Sequence, residues 1–188
     1  MRDRIKDILL ENIRINEDLM RNSLDTVLAA GEAVVAALKK GGKVIICGNG
    51  GSASDSQHIA AELVGRFMKD RQALPAIALT TNTSIITALA NDFGYDIVFA
   101  RQLEALGQKN DILIGISTSG KAKNVAAAFK QAKKMGIRTI ALTGGDGGDL
   151  VKLADLSIII PAKVTARIQE AHITVAHTIC EIVEQELC

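Results

Sequence analysis

Four side chains in two helical stretches have the types and spacing to hold a metal ion. His58 and Glu62 stand at i and i+4, so they project from one face of a helix. Gln169 and His177 stand at i and i+8 with Ile173 between them, a ridge that points an amide and an imidazole in a similar direction. Two imidazoles, a carboxylate and an amide form a nitrogen-and-oxygen donor set suited to a divalent cation. His172 shares the stretch with His177, and periodicity alone does not separate the two.

Two Gly/Ser-rich loops offer a different chemistry. Cys47-Gly48-Asn49-Gly50-Gly51-Ser52 follows the apolar run from Val44, and Ser117-Thr118-Ser119-Gly120 follows the apolar run from Ile112. A strand that ends in Gly and Ser and then opens a helix leaves backbone N–H groups beside small hydroxyls, an arrangement that holds phosphate. One hydroxyl is explained as a helix cap, but three in a row are not. The first loop lacks both the lysine of a nucleotide-binding loop and a GxGxxG pattern, which disfavours a nucleotide. Arg66 falls four residues past Glu62, a helical turn further on, where it would neutralise an anion at the same site or else be a plain surface residue. Asn91 and Asp92 close an apolar helical stretch ahead of Phe93-Gly94. The run Thr143 to Gly148 reads as a connection, and Asp55 as a first-turn carboxylate that favours the helix dipole.

The elements that must position these groups follow from hydrophobic periodicity. Residues 1–40 read as helix, with Gly41-Gly42 as the stop. Strands are expected at 43–47, 76–79, 111–116, 138–142 and 156–160, and helices at 53–68, 83–91, 95–106, 121–135, 148–153 and 165–187. Strands alternating with helices imply right-handed crossovers and a parallel sheet, and their almost wholly apolar sequences imply a sheet covered on both faces. In a doubly wound sheet of order 2-1-3-4-5, strands 1 and 3 lie side by side and their crossovers diverge, so the two loops become walls of one site. The N-terminal 40 residues exceed what a sheet domain of roughly 150 residues requires, and a role in subunit contact carries equal weight with packing on the domain.

Composition bounds the partners. At 188 residues the chain is expected to be one domain, residues 1–40 forming N-terminal helices and 41–188 the α/β core. A net charge of +1 gives no electrostatic reason to expect nucleic acid or a membrane surface, and the absence of tryptophan removes the usual stacking platforms. No apolar run approaches a membrane span and no signal peptide is visible. Cys47, Cys180 and Cys188 are widely spaced with no CxxC, which points to a reducing cytoplasm rather than a disulfide framework.

Read in order, CGNGGS, DSQHIAAELVGRF, PAIALT, ANDFGYD, ISTSG, ALTGGDGG and ARIQEAHITVAH resemble the phosphoheptose isomerases, the sedoheptulose 7-phosphate isomerases of the sugar-isomerase (SIS) domain superfamily. The resemblance implies a three-layer α/β sandwich with a five-stranded flavodoxin-like sheet, a homotetramer and one zinc ion per subunit. It implies conversion of D-sedoheptulose 7-phosphate to D-glycero-D-manno-heptose 7-phosphate on the way to nucleotide-activated heptose for lipopolysaccharide or other surface glycans. Carried over by motif, the zinc ligands are His58, Glu62, Gln169 and His177. Sugar and phosphate would meet Asn49, Gly50, Gly51, Ser52, Glu62, Arg66, Asn91, Asp92, Ser117, Thr118, Ser119 and Gln169. Glu62 would be the base at C1/C2 and His177 its partner. One departure stands out: the family's STSGNS is STSGKA here, so Ala122 replaces a phosphate-binding serine and Lys121 precedes it. Two other functions belong to the same superfamily. One is a non-catalytic adaptor that binds a bacterial replication initiator as a tetramer and lacks the pair corresponding to Glu62 and His177. The other is isomerisation of a different sugar phosphate.

Overall fold

Apolar residues on both faces of each strand decide the architecture. In the computed structural model, which describes residues 1–188, five strands pair in parallel in the order β2-β1-β3-β4-β5. They are β1 (Val44–Gly48), β2 (Ala76–Ala78), β3 (Ile112–Ser117), β4 (Arg138–Gly144) and β5 (Leu156–Ile160). Seven helices surround them: α1 (Arg2–Asn22), α2 (Leu24–Lys39), α3 (Gly51–Val64), α4 (Thr83–Phe93), α5 (Val98–Leu106), α6 (Lys123–Met135) and α7 (Thr165–Leu187). Alternate strand residues face opposite ways. Val44, Ile46, Ile114, Ile116, Leu142 and Ile160 join the side chains of α1, α2, α3 and α7 in one core. Ile45, Cys47, Leu113 and Ala141 join those of α5 and α6 in the other. The result is the expected three-layer sandwich, and the crossovers that follow β1 and β3 leave on opposite faces.

The N-terminal stretch is two helices rather than one. Ser23 leaves the helical region at φ −128°, and its N–H closes α1 on the Leu19 carbonyl at 2.9 Å. The break lets α2 lay Val27, Ala30, Val34 and Ala37 on the core, with Gly31 so close to Ile182 of α7 that a Cβ there would meet its side chain at 2.9 Å. Only Ile15 and Leu19 of α1 are buried. Ile5, Leu9 and Ile13, one residue per turn, are 53%, 59% and 52% exposed.

The helix expected at 53–68 runs instead from Gly51 to Val64. It stops because the backbone N–H groups of Phe67, Met68 and Lys69 turn to the Glu184 carboxylate. Arg71 meanwhile takes the carbonyls of Glu62, Leu63 and Gly65. Arg66 therefore lies outside the helix, exposed, and not one helical turn beyond Glu62. The earlier start likewise moves Asp55 out of the first turn. The helix expected at 95–106 is present with its first three residues, Tyr95–Ile97, wound as a tighter turn ahead of α5, and the one expected at 148–153 shrinks to the single turn Leu150–Lys152.

Candidate active site

Helices α3 and α7 lie against each other, and their facing turns bring three of the four expected donors together. His58 Nε2 is 3.0 Å from Glu62 Oε1, and His177 Nε2 is 3.4 Å from His58 Nε2. The ligand atoms of the three residues lie within 4.8 Å of one another. Tetrahedral ligands at the usual zinc–nitrogen and zinc–oxygen lengths stand about 3.3 Å apart, so the His58 contacts on both sides have the spacing of a metal shell. The residues fit a divalent cation with nitrogen and oxygen ligands. The Phe67 ring, 5.4 Å from the His177 ring centre to centre, lies beside the group.

Gln169 occupies a different place. It precedes His177 by two turns, about 12 Å of helix rise, and its amide packs on Gly51, where a Cβ would collide with it. His172, left open by periodicity, points into the core and meets the Thr143 carbonyl at 3.0 Å. Burial pushes its imidazole down to about 4, against the opposing pull of that carbonyl. Asp55 lies one turn before His58. Burial raises its carboxyl while the nearby His58 lowers it, and one of its oxygens is enclosed without a partner.

The strand register sets the two loops side by side, with Gly48 opposite Ile116 at the ends of β1 and β3. In the first loop Asn49 exchanges amide hydrogen bonds with Asn124 of α6, each 2.9 Å, and its oxygen also accepts from the Tyr95 hydroxyl at 3.0 Å. Gly50 opens α3 with φ +56°, a conformation that favours glycine. Ser52 is buried.

The second loop is different. None of its hydroxyls caps α6, whose N-cap is Ala122 with no side-chain bond. Ser119 Oγ accepts only from the Lys121 N–H at 3.3 Å, and Ser117 is buried. The run from Thr143 to Gly148, expected to be a mere connection, braces this loop. Gly120 sits at φ +64° with no room for a Cβ against the Gly147 backbone, and its carbonyl accepts from Asp149 and Leu150.

Thr118 and Ser119 open onto a cleft of about 980 Å³ between α1 and the carboxyl ends of the later strands, with Arg14, Lys121 and Lys163 on its walls. His58, Glu62 and His177 do not line this cleft. The second loop thus opens onto a cleft of mixed charge, where Glu11, Asp18 and Asp146 stand among the three bases. Asn91 and Asp92 lie in the last turn of α4, exposed, and their side chains bond only to each other, at 2.8 Å. Sequence reading missed Asn124, Tyr95, Arg71 and Glu184. Asn124, in the first turn of the helix behind the second loop, carried the clearest signal, as a polar residue on an otherwise apolar helix face.

A doubly wound sheet with paired Gly/Ser loops at its switch point defines a phosphosugar-binding class, and residues 11–144 match the SIS domain family. The chain belongs to that family and, within it, to the phosphoheptose isomerases. It is 52% identical over 183 residues to the phosphoheptose isomerase of Roseiflexus sp. (strain RS-1), covering 95% of this chain and 93% of that one. Two solved structures agree. The phosphoheptose isomerase of Neisseria gonorrhoeae superposes with a TM-score of 0.93 at 41% identity over 98% of both chains. That of Francisella tularensis superposes with a TM-score of 0.94 at 37% identity over 97% of both.

Proposed function

We propose that this chain is an aldose–ketose isomerase that converts D-sedoheptulose 7-phosphate to D-glycero-D-manno-heptose 7-phosphate for activated-heptose synthesis. What supports the proposal is the His58–Glu62–His177 group, two of whose members lie on the helix after β1, together with the uncapped hydroxyl-rich loop after the neighbouring β3. Thr118 and Ser119, with the backbone N–H groups at the start of α6, would hold the phosphate, and Ser117 would support them. Gly50, Gly51 and Ser52 would shape the sugar site. Asn49 would be fixed there by Asn124, while Arg66, Asn91 and Asp92 would approach from the exposed side.

Interconversion moves a proton between C1 and C2 through an enediol. Glu62 presents Oε1 to His58 and leaves Oε2 free of hydrogen bonds, so one carboxylate can both join a metal shell and take the carbon-bound proton. His177 would move the oxygen proton. Zinc would be held by His58, Glu62 and His177, with Gln169 proposed as the fourth ligand, and would supply Lewis-acid polarisation of the sugar oxygens. A neutral binding module would have no need of the Glu62–His177 pairing, which sets the adaptor function aside.

We also infer that residues 1–188 work as one SIS domain assembled into a homotetramer. The exposed Ile5, Leu9 and Ile13 stripe supports that assembly. The cysteines are free, which suits a cytoplasmic setting, and no helix is long and apolar enough to cross a membrane.

The deciding experiment offers the purified protein a panel of ketose phosphates and follows aldose formation by NMR, with a metal assay on the same preparation. Turnover of the seven-carbon substrate with stoichiometric zinc is expected. Preference for a pentose or hexose phosphate would replace the substrate, and absence of metal would remove the ligand assignment.

A further inference from the structure

We propose that Arg71 and Glu184 are positioning residues of this site, a buried ion pair that locks the end of α3 to α7 and thereby fixes the mutual geometry of His58, Glu62 and His177. The inference rests on the metal-assisted isomerase function proposed above.

Glu184 stands seven residues after His177, on the same face of α7. Its side chain is 2% exposed and that of Arg71 is 4% exposed. The Glu184 carboxylate accepts from the backbone N–H groups of Phe67 at 3.2 Å, Met68 at 2.8 Å and Lys69 at 2.9 Å. It also accepts from Arg71 Nε at 2.9 Å. The rest of the guanidinium caps α3: Nη2 donates to the Glu62 carbonyl at 2.8 Å, and Nη1 to those of Leu63 at 2.9 Å and Gly65 at 3.3 Å. It reaches the Gln72 carbonyl as well, at 3.0 Å.

Two paths therefore run from one carboxylate to the donor group. The first passes through Arg71 to the backbone of Glu62 itself. The second passes through the Phe67 N–H, which sets the Phe67 ring beside the His177 imidazole. Burial pushes the Glu184 carboxyl up, but the N–H groups of Met68, Lys69 and Phe67 together with Arg71 hold it down to about 2. The pair is thus charged and fully engaged across the neutral range.

Stability alone is a weak reason for such a pair. The charge pair itself could often be replaced by apolar residues with no loss of stability; what it adds here is directed bonding to the backbone at the end of α3. Helices α3 and α7 already share an apolar contact through Ile59, Leu63, Ile179 and Val183. That contact is non-directional, so it leaves the rotation of the last α3 turn free by comparison with hydrogen bonds to named carbonyls. Groups that orient metal ligands from behind typically change affinity or activity 10–100-fold when removed.

The test compares the full-length wild type with Arg71→Lys, Glu184→Gln and the paired apolar variant Arg71→Met/Glu184→Leu. Zinc affinity is measured by chelator competition, kcat and KM on sedoheptulose 7-phosphate, and the thermal midpoint by circular dichroism. The single variants should bind zinc and turn over roughly 10–100-fold less well, with KM within about threefold because the phosphate loop is untouched. The paired variant removes both charges but leaves the N–H groups of 67–69 and the carbonyls at the end of α3 without their partners. Its midpoint should therefore stay below that of the wild type, and zinc affinity and kcat should stay lowered as in the single variants. Should the single variants fail to fold, the paired variant carries the test alone. Wild-type zinc affinity and kcat in any folded variant would overturn the proposal, whatever the midpoint. Failure of all three to fold would also overturn it, in favour of a purely structural pair. A wild type that binds no zinc and isomerises no heptose would instead overturn the function on which it rests.

Discussion

The loops after β1 and β3 begin alike and end differently. Both are rich in Gly and Ser, and both close neighbouring strands in register. After β1 the polar side chain is spent internally, Asn49 on Asn124 and Tyr95, and the helix that follows carries His58 and Glu62. After β3 the Thr118 hydroxyl has no side-chain partner, Ser119 only accepts from the Lys121 N–H, and the helix that follows has an alanine as its N-cap. On the proposed function one loop would be a mount for reactive groups and the other a receptacle. Similar sequence at a switch point would then divide into chemistry on one side and anchorage on the other.

The largest effect should come from Glu62→Gln, which keeps size and removes the base. We expect kcat to fall about 10²–10⁴-fold with the thermal midpoint unchanged, and full residual turnover would break the division at its reactive side. Next comes Thr118→Val/Ser119→Ala, which should lower kcat/KM roughly 10–100-fold, mostly through KM, as hydrogen bonds to a charged phosphate are lost. A kcat effect with unchanged KM would show that the second loop takes part in the chemistry.

The brace behind that loop has its own signature in pH. The folded-state pKa of His172, about 4, lies below the ordinary value of 6.5, so its contribution to stability is present above pH 6.5 and is lost as pH falls toward 4. Urea titrations should show about 2 kcal/mol less stability at pH 5 than at pH 7 from this group, and His172→Gln should abolish that part of the slope. The smallest effect sharpens the comparison: Ala122→Ser gives α6 the cap it lacks and should add about 1 kcal/mol of stability, with a modest decrease in KM.

Much of this was legible because it is periodic or local. The apolar runs gave the five strands, and the position of the two loops on strands 1 and 3 gave the sheet order that the strands themselves did not. His58 and Glu62 announced themselves by a four-residue spacing. What was not legible depends on distant polar pairs, which leave no period. Nothing near Arg71 points to Glu184, 113 positions away, and so the early end of α3 and the misplacement of Arg66 followed from the same omission. The Ser23 break was hidden for a related reason. Helical spacing continues through it, and only packing of α2 on α7 shows that a single rod does not fit.

The contact between His58 and His177 spans 119 positions of chain. At ordinary rates of synthesis, about 5–20 residues per second, the first imidazole waits roughly 6–24 seconds for the second. All five strands are made before α7 arrives. A nascent chain therefore holds all five strands and both loops before it can gather His58, Glu62 and His177, and α7 closes one face of the sheet in the same step that completes this group.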